Sequence, residues 1–256
     1  MKIVSWNINS LRKRLERLLT WLAETQPDIV CLQETKCTDE QFPAADLRTA
    51  GYHSVFHGQK SYNGVAILSK EEAREVRTGL CDGEDDPQAR VIAATIGKVR
   101  VFSIYAPNGQ AIGSPAYDYK LKWYGRLERC LRAHEGARDL TVCGDFNVAP
   151  KDEDVHEPAL WRGAIMCSEV ERAAFENLCR VGLVDTLRLH HREGGIFTWW
   201  DYRMLAFPKN RGLRIDAVLA NESLGARCMN AGVDREMRKG KEPSDHAPIW
   251  AEFAVS

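Results

Sequence analysis

Long hydrophobic runs are missing from this 256-residue chain: none approaches the roughly 20 apolar residues that a membrane-crossing helix needs. The start, Met1–Trp6, reaches Asn7 and Asn9 before the core of an export signal forms, so a cytoplasmic protein with no membrane partner is expected. An excess of one charge is missing too. Lys and Arg number 35 against 36 Asp and Glu, a net charge of −1, which argues against a polybasic coat and confines any nucleic-acid contact to local patches. No segment repeats at a period of 20 to 50 residues, which excludes solenoids and propellers. No proline- or serine-rich linker divides the chain, and the charged irregular stretches are Cys81–Gln88 and Lys151–Glu157, so one domain over residues 1–256 is expected. The eight cysteines include no C-x-x-C pair and none at zinc-ligand spacing with a histidine. They read as reduced, mostly buried small hydrophobes.

What is present is a globular balance, 44% hydrophobic and 28% charged, enough to build a core without staples. Lys2–Trp6 reads as a strand, and Leu11, Leu15, Leu18, Leu19 and Leu22 then recur at helical spacing. Asp28–Leu32, after Pro27, is a compact buried strand, and Tyr52–His57 and Val65–Ser69 are two more around the turn-rich Gly58–Gly64. Arg90–Ile96 and Val99–Tyr105 meet at Gly97-Lys98, a hairpin signal. A helix over Ala116–Glu135, a strand at Asp139–Cys143 and a helix at Ser168–Val181, opened by the capping box Ser168/Glu171, follow. Strands near Gly195–Trp200, Leu213–Ala220 and Ala247–Phe253 complete the order. Hairpins and crossovers alternate, so parallel and antiparallel pairings are both expected.

Polar residues sit where these apolar runs end. Asn7 and Asn9 end the first strand, Glu34 the second, Tyr105 and Asn108 another; Asp145 and Asn147 follow the next, Asp216 lies within Leu213–Ala220, and Asp245-His246 precede the last. One such residue is ordinarily a turn or cap. Their recurrence points to a shared rim that gathers Glu34, Asp145, Asp216 and Asp245 with Asn7, Asn147, Tyr105 and His246. Four carboxylates in one pocket repel unless a cation offsets them, and oxygen donors without thiolates suit Mg²⁺, with Mn²⁺ as its substitute. Beside Asp216, His246 would be held in one tautomer.

Trp6-Asn7-Ile8-Asn9, Leu32-Gln33-Glu34-Thr35-Lys36, Tyr105-Ala106-Pro107-Asn108-Gly109, Gly144-Asp145-Phe146-Asn147, Arg214-Ile215-Asp216 and Ser244-Asp245-His246-Ala247-Pro248 resemble, in order and spacing, the signature of the exonuclease III family of DNA-repair nucleases. The resemblance spans nearly the whole chain. It implies an α/β fold of the deoxyribonuclease I type, a four-layer α/β/β/α sandwich of two mixed β-sheets packed face to face with helices outside, and Mg²⁺-dependent hydrolysis of double-stranded DNA that leaves a 3′-hydroxyl. Carried over block by block, Glu34 is the main metal ligand with Asn7 beside it and Asp245 supporting that side. Asp145 and Asn147 position the water and the scissile phosphate. His246, paired with Asp216, contacts the phosphate or acts as base, and whether it or Asp145 takes the water's proton stays open. Tyr105 and Asn108 donate to phosphate oxygens. Asn9, Lys36, Trp199 and Arg203 fall on the substrate side, Trp199 as an exposed ring able to stack on a sugar or base.

Basic clusters at Arg12–Arg17, Arg188–Arg192, Arg203–Arg214 and Arg235–Lys241 are candidates for a phosphate track. The family divides between incision at abasic sites and removal of 3′-terminal nucleotides or blocking groups. Met166 stands where abasic-site endonucleases usually carry a small residue lining the sugar pocket, which points to 3′-5′ exonuclease and 3′-phosphodiesterase activity with weak abasic-site cleavage. The bland alternative is that Met166 packs against a neighbour such as Leu178 and moves aside. The expected substrate is duplex DNA with damaged, abasic or recessed 3′ sites, and the expected state a monomer. Three other readings stand beside this one: principally an abasic-site endonuclease; a phosphomonoesterase or phospholipid phosphodiesterase, disfavoured because no lipid-binding apolar insertion is visible; and an inactive RNA-binding regulator, which should have lost Glu34, Asp145, Asn147, Asp216 or His246.

Overall fold

The computed structural model describes residues 1–134 and 139–254, in which twelve strands form two six-stranded sheets. In spatial order the first holds β11 (Cys228–Val233), β12 (Ile249–Phe253), β1 (Lys2–Asn7), β2 (Ile29–Gln33), β4 (Val65–Ser69) and β3 (His53–His57). The second holds β5 (Arg74–Thr78), β6 (Val91–Ile96), β7 (Val99–Tyr105), β8 (Asp139–Asp145), β10 (Asp216–Asn221) and β9 (Leu183–Asp185). Each sheet has one central parallel pair, β1–β2 or β7–β8, among antiparallel neighbours. Parallel neighbours need a crossover, and helices α1 (Leu11–Thr25) and α3 (Pro115–Arg132) supply it. The remaining helices are α2 (Ala44–Thr49), α4 (Pro158–Trp161), α5 (Glu169–Cys179), α6 (Thr186–His190) and α7 (Glu222–Gly225).

Apolar alternation sorts the layers. Ile3, Ile29, Ile67, Val101, Val218 and Ile249 from both sheets meet in one buried cluster. The opposite face of the first sheet, with Val4, Trp6 and Val30, packs on Leu11, Leu18 and Leu22 of α1, and that of the second, with Phe102, Val142 and Leu219, on Trp123 and Leu127 of α3 and Phe175 of α5. The result is the expected α/β/β/α sandwich. Local signals act as read: the Ser168 hydroxyl accepts from the Glu171 N–H while the Glu171 carboxylate accepts from the Ser168 N–H, and Gly97 turns the β6–β7 hairpin at φ 55°. Gly144 has a steric reason, since a Cβ there would lie 2.1 Å from the Ile104 carbonyl oxygen on β7.

Three expectations are corrected. Gly195–Trp200 is no strand but a tie: Thr198 and Trp199 both donate to the Leu213 carbonyl at 2.9 Å, and Trp200 donates to the Asp245 carbonyl at 3.0 Å. The cysteines are not all free, because the segment after β5 lays Cys81 against the end of α3, where it forms a disulfide with Cys130 at a Cα–Cα distance of 5.2 Å. Their separation of 49 residues left no local signal. Cys130 also stands four residues before His134, and with Cys81 the three bring their ligand atoms within 4.8 Å of one another, a spacing the sequence reading passed over. The predicted helix end at Glu135 lies outside the described residues.

Candidate active site

Strand register gathers the polar residues. Asp145, the last residue of β8, pairs with Tyr105 on parallel β7 and with Asp216 on antiparallel β10, while Asn7 ends β1 beside β2. Because the two sheets face each other, Asn7 reaches across and bridges them: its Nδ2 donates to Glu34 Oε1 at 2.8 Å and to Asp145 Oδ2 at 2.9 Å. Glu34 and Asn147 hold left-handed backbone, at φ 51° and 50°, as do Asn9 and Lys36. Such conformations are costly for residues other than glycine and concentrate at functional sites.

His246 is buried, with Nδ1 2.8 Å from Asp216 Oδ2 and Nε2 3.7 Å from Asp145 Oδ2. The Thr198 hydroxyl holds Asp216 in place by accepting from the N–H groups of Ile215 and Asp216, each at 3.1 Å. Ser244 fixes the other side: its hydroxyl donates to the Asn7 carbonyl at 2.7 Å and accepts from the His246 N–H. Burial opposes a charge on His246, but the facing carboxylates of Asp216 and Asp145 outweigh it and lift the imidazole to about 10, so it is a cation at neutral pH. Burial, reinforced by Asp216, pushes the Asp145 carboxyl up to about 7. Burial and the charges of Glu34 and Asp145 also drive the Tyr105 phenol well above its usual range, so it stays a proton donor. Asp245, by contrast, is held low despite burial, because His246⁺ and the donors Asn9 Nδ2 (2.8 Å) and Trp199 Nε1 (3.0 Å) favour its carboxylate.

Asn147 donates to the Ala106 carbonyl and accepts from Asn108 Nδ2 at 3.0 Å, and its N–H donates to Asp145 Oδ1. Lys36 is tied to Glu34 Oε2 and to Asn9 Oδ1, each at 2.6 Å. Met166, at φ 67°, packs with Leu213, Ile215 and the half-buried Trp199 rather than with Leu178. Arg203 is not brought to the group: it is exposed and faces Asp201. Much of the expected basic track is used in packing, with Arg14 on the carbonyls of Asn9, Glu242 and Pro243, Arg188 and Arg214 on Asp154, and Arg238 on the Trp200 carbonyl. The ligand atoms of Glu34, Asp145 and His246 lie within 4.8 Å of one another, a group able to hold a metal ion. Four acids, a histidine on a carboxylate and amide donors together suit attack on a phosphate ester.

Residues 4–246 match the Endonuclease/Exonuclease/phosphatase family. The chain belongs to that family. It is 38% identical to exodeoxyribonuclease III of Haemophilus influenzae over 99% of this chain and all of that protein. Among solved structures, the 3′ phosphatase NExo from Neisseria, bound to a product DNA hairpin, superposes with a TM-score of 0.98 at 46% identity, and an AP endonuclease from Archaeoglobus fulgidus with 0.96 at 41%, each covering both chains fully. This member of the family is thus a DNA phosphodiester hydrolase of the exodeoxyribonuclease III and AP endonuclease group, with a DNA-repair nuclease activity. Among its described residues no helix is long and apolar enough to cross a membrane.

The sequence reading missed Thr198 and Ser244, the two hydroxyls that fix Asp216 and His246. Both stand inside segments with a reading of their own, the expected strand Gly195–Trp200 and the block Ser244–Pro248. It also missed Arg90, which lies over the Tyr105 ring at 4.8 Å and donates to its carbonyl at 3.0 Å; a strand-edge arginine carries no signal of that contact.

Proposed function

We propose that the protein is a Mg²⁺-dependent cytoplasmic repair nuclease that removes nucleotides and blocking groups from 3′ ends of duplex DNA, leaving 3′-hydroxyls, with abasic-site incision as a weaker activity. The observation that carries the metal is the charge imbalance of a buried site. Among the described residues the cations in ion-pair contact with Glu34, Asp145, Asp216 and Asp245 are Lys36 and His246, and Asp216 Oδ1 is buried without a hydrogen-bond partner. The residues fit a hard divalent cation, since the side chains of Glu34 and Asp145 offer carboxylate oxygens close together and the imidazole is already engaged by Asp216. Glu34 and Asn7 would hold it, with Asp145, Asn147 and Asp245 in support. When bound, the ion neutralises charge that builds on the phosphate.

The remaining chemistry belongs to the protein. The Asp216–His246 bond keeps the imidazole oriented toward a phosphate oxygen, which leaves Asp145, beside it, to take the proton of the attacking water. Asn147, Asn108 and Tyr105 donate to phosphate oxygens as negative charge develops.

Met166 carries the preference for 3′ ends. Left-handed backbone costs a non-glycine residue about 1–2 kcal/mol, so glycine would be easier there, yet a long side chain stands against Trp199 where a flipped sugar would need room. The Neisseria 3′ phosphatase, at 46% identity, agrees with this reading; the Archaeoglobus AP endonuclease, at 41%, favours abasic incision as the second. The test compares wild type with Met166→Gly on a duplex with an abasic analogue and on a 3′-recessed duplex, both in Mg²⁺. Abasic incision should rise between about tenfold and two-hundredfold in the variant, the range set by one apolar pocket contact. Equal incision by both proteins would sink the preference.

A further inference from the structure

Beneath the two asparagines lies a buried cation with no part in the chemistry above. Lys120 of α3 has no exposed surface, and its ammonium donates to the Asn108 carbonyl at 3.1 Å, the Asn147 carbonyl at 2.7 Å and Glu171 Oε1 at 2.5 Å. Its three donors are thereby used up. The same Glu171 oxygen accepts from the Met166 N–H at 3.1 Å, and the other carboxylate oxygen accepts from the Ser168 N–H and hydroxyl. Three loops, each carrying a residue of the candidate site, thus converge on one ion pair. The fit is close, since a Cβ on Gly109 would meet the Lys120 Cδ at 3.0 Å. Asn147 holds left-handed backbone, and a donor fixed on its carbonyl sets the peptide plane from which its amide points.

We infer that Lys120 is a positioning residue for hydrolysis: by clamping the carbonyls of Asn108 and Asn147 it sets their amides on the phosphate, and through Glu171 it ties that geometry to Met166. The inference rests on reading those asparagines as phosphate donors. A misplacement of about 1 Å in such a group costs on the order of a hundredfold in rate.

Removing the lysine alone would leave a buried, unpaired Glu171, so the test compares Glu171→Gln with Lys120→Met/Glu171→Gln in the full-length protein. Glutamine keeps one accepting oxygen for the Met166 N–H and turns its Nε2 to the Ser168 side, a loss common to both variants, and neither variant buries a lone carboxylate. On a 3′-recessed duplex in Mg²⁺, the double variant should have a kcat about a hundredfold below that of Glu171→Gln, with the KM of the two within about threefold. The double variant should melt no lower than Glu171→Gln, since the single variant alone leaves a buried ammonium without its counter-charge. Equal kcat in the two variants, or a loss carried by KM, overturns the inference. Should the double variant not fold, Lys120→Gln/Glu171→Gln, which keeps an N–H donor with a shorter reach and no lone carboxylate, carries the same expectation of lowered kcat at unchanged KM. Asn147→Ala, run in parallel, separates the two levels: if it is fully active, the reading of the asparagines fails; if it is inactive while the double variant is not, only the role of Lys120 fails.

Discussion

Two buried charge clusters in this protein answer burial in opposite ways. Around Asp154, Arg214 Nε approaches at 2.7 Å, Arg188 binds the same carboxylate, and Arg214 also reaches Asp185 at 2.7 Å, so two acids and two cations close on themselves. Around Asp145, among the described residues, four carboxylates have two cations in ion-pair contact with them. Arg214 and Asp216, two residues apart in one motif, belong to different clusters. Burial of charge therefore does not mark a functional site; an unmet charge balance does. The closed cluster ties the segment before β10 to the Lys151–Glu157 loop, and the open one is the proposed site of the cation and the phosphate.

The largest expected effect is on rate. Asp216→Asn removes the carboxylate that orients and charges His246, and kcat should fall on the order of 10⁴-fold, as when a histidine-orienting aspartate is lost elsewhere, with the melting temperature little changed. Single-turnover cleavage beside a thermal melt reads both; activity within tenfold of wild type would break the contrast between site and scaffold.

Next comes stability. Asp154→Asn strips the counter-charge from buried Arg214 and half-buried Arg188 and should cost about 3–5 kcal/mol. Asp145→Asn, the same change in the open cluster, relieves repulsion and should leave the metal-free protein as stable as wild type or more so. Urea unfolding of both without metal decides, and equal losses would show that the clusters do not differ in kind.

The smallest effect is in pH dependence. Burial raises the Asp154 carboxyl, but Arg214 and Arg188 outweigh it and hold it low, so its contribution is present above the unfolded value of about 3.9 and is lost as pH falls through the folded value. Asp145 has the opposite sign. Lifted to about 7, it holds a proton that the unfolded chain releases near 3.9, so metal-free stability should fall as pH rises between the two. Subtracting the Asp145→Asn curve from that of wild type should isolate a downward slope over that window; a flat difference would show that the buried carboxyl is not strained.

Legibility in the sequence followed periodicity. Strands buried on one or both faces, such as β1, β2, β4 and β8, could be read from apolar runs, and so could the residues parked at their ends. Strand β5 is exposed along its whole length and carries no such pattern, and β9 has three residues. The partners of Glu34, Asp145 and His246 were visible because short motifs hold them, and Glu171 was legible as a cap, but the contacts of Lys120 with Asn147 and Glu171, of Thr198 with Ile215 and of Asp154 with Arg214 span 17 to 60 residues, which no local pattern records. Likewise Arg214 read as a candidate for phosphate, whereas tertiary packing turned it to Asp154 and Asp185.

The charge imbalance itself can be measured by calorimetric titration of Mg²⁺ into metal-free wild type, Glu34→Gln and Asp154→Asn. Saturable binding should appear in wild type and in folded Asp154→Asn and be lost in Glu34→Gln. Equal binding by wild type and Glu34→Gln would contradict the assignment of the open cluster as the cation site.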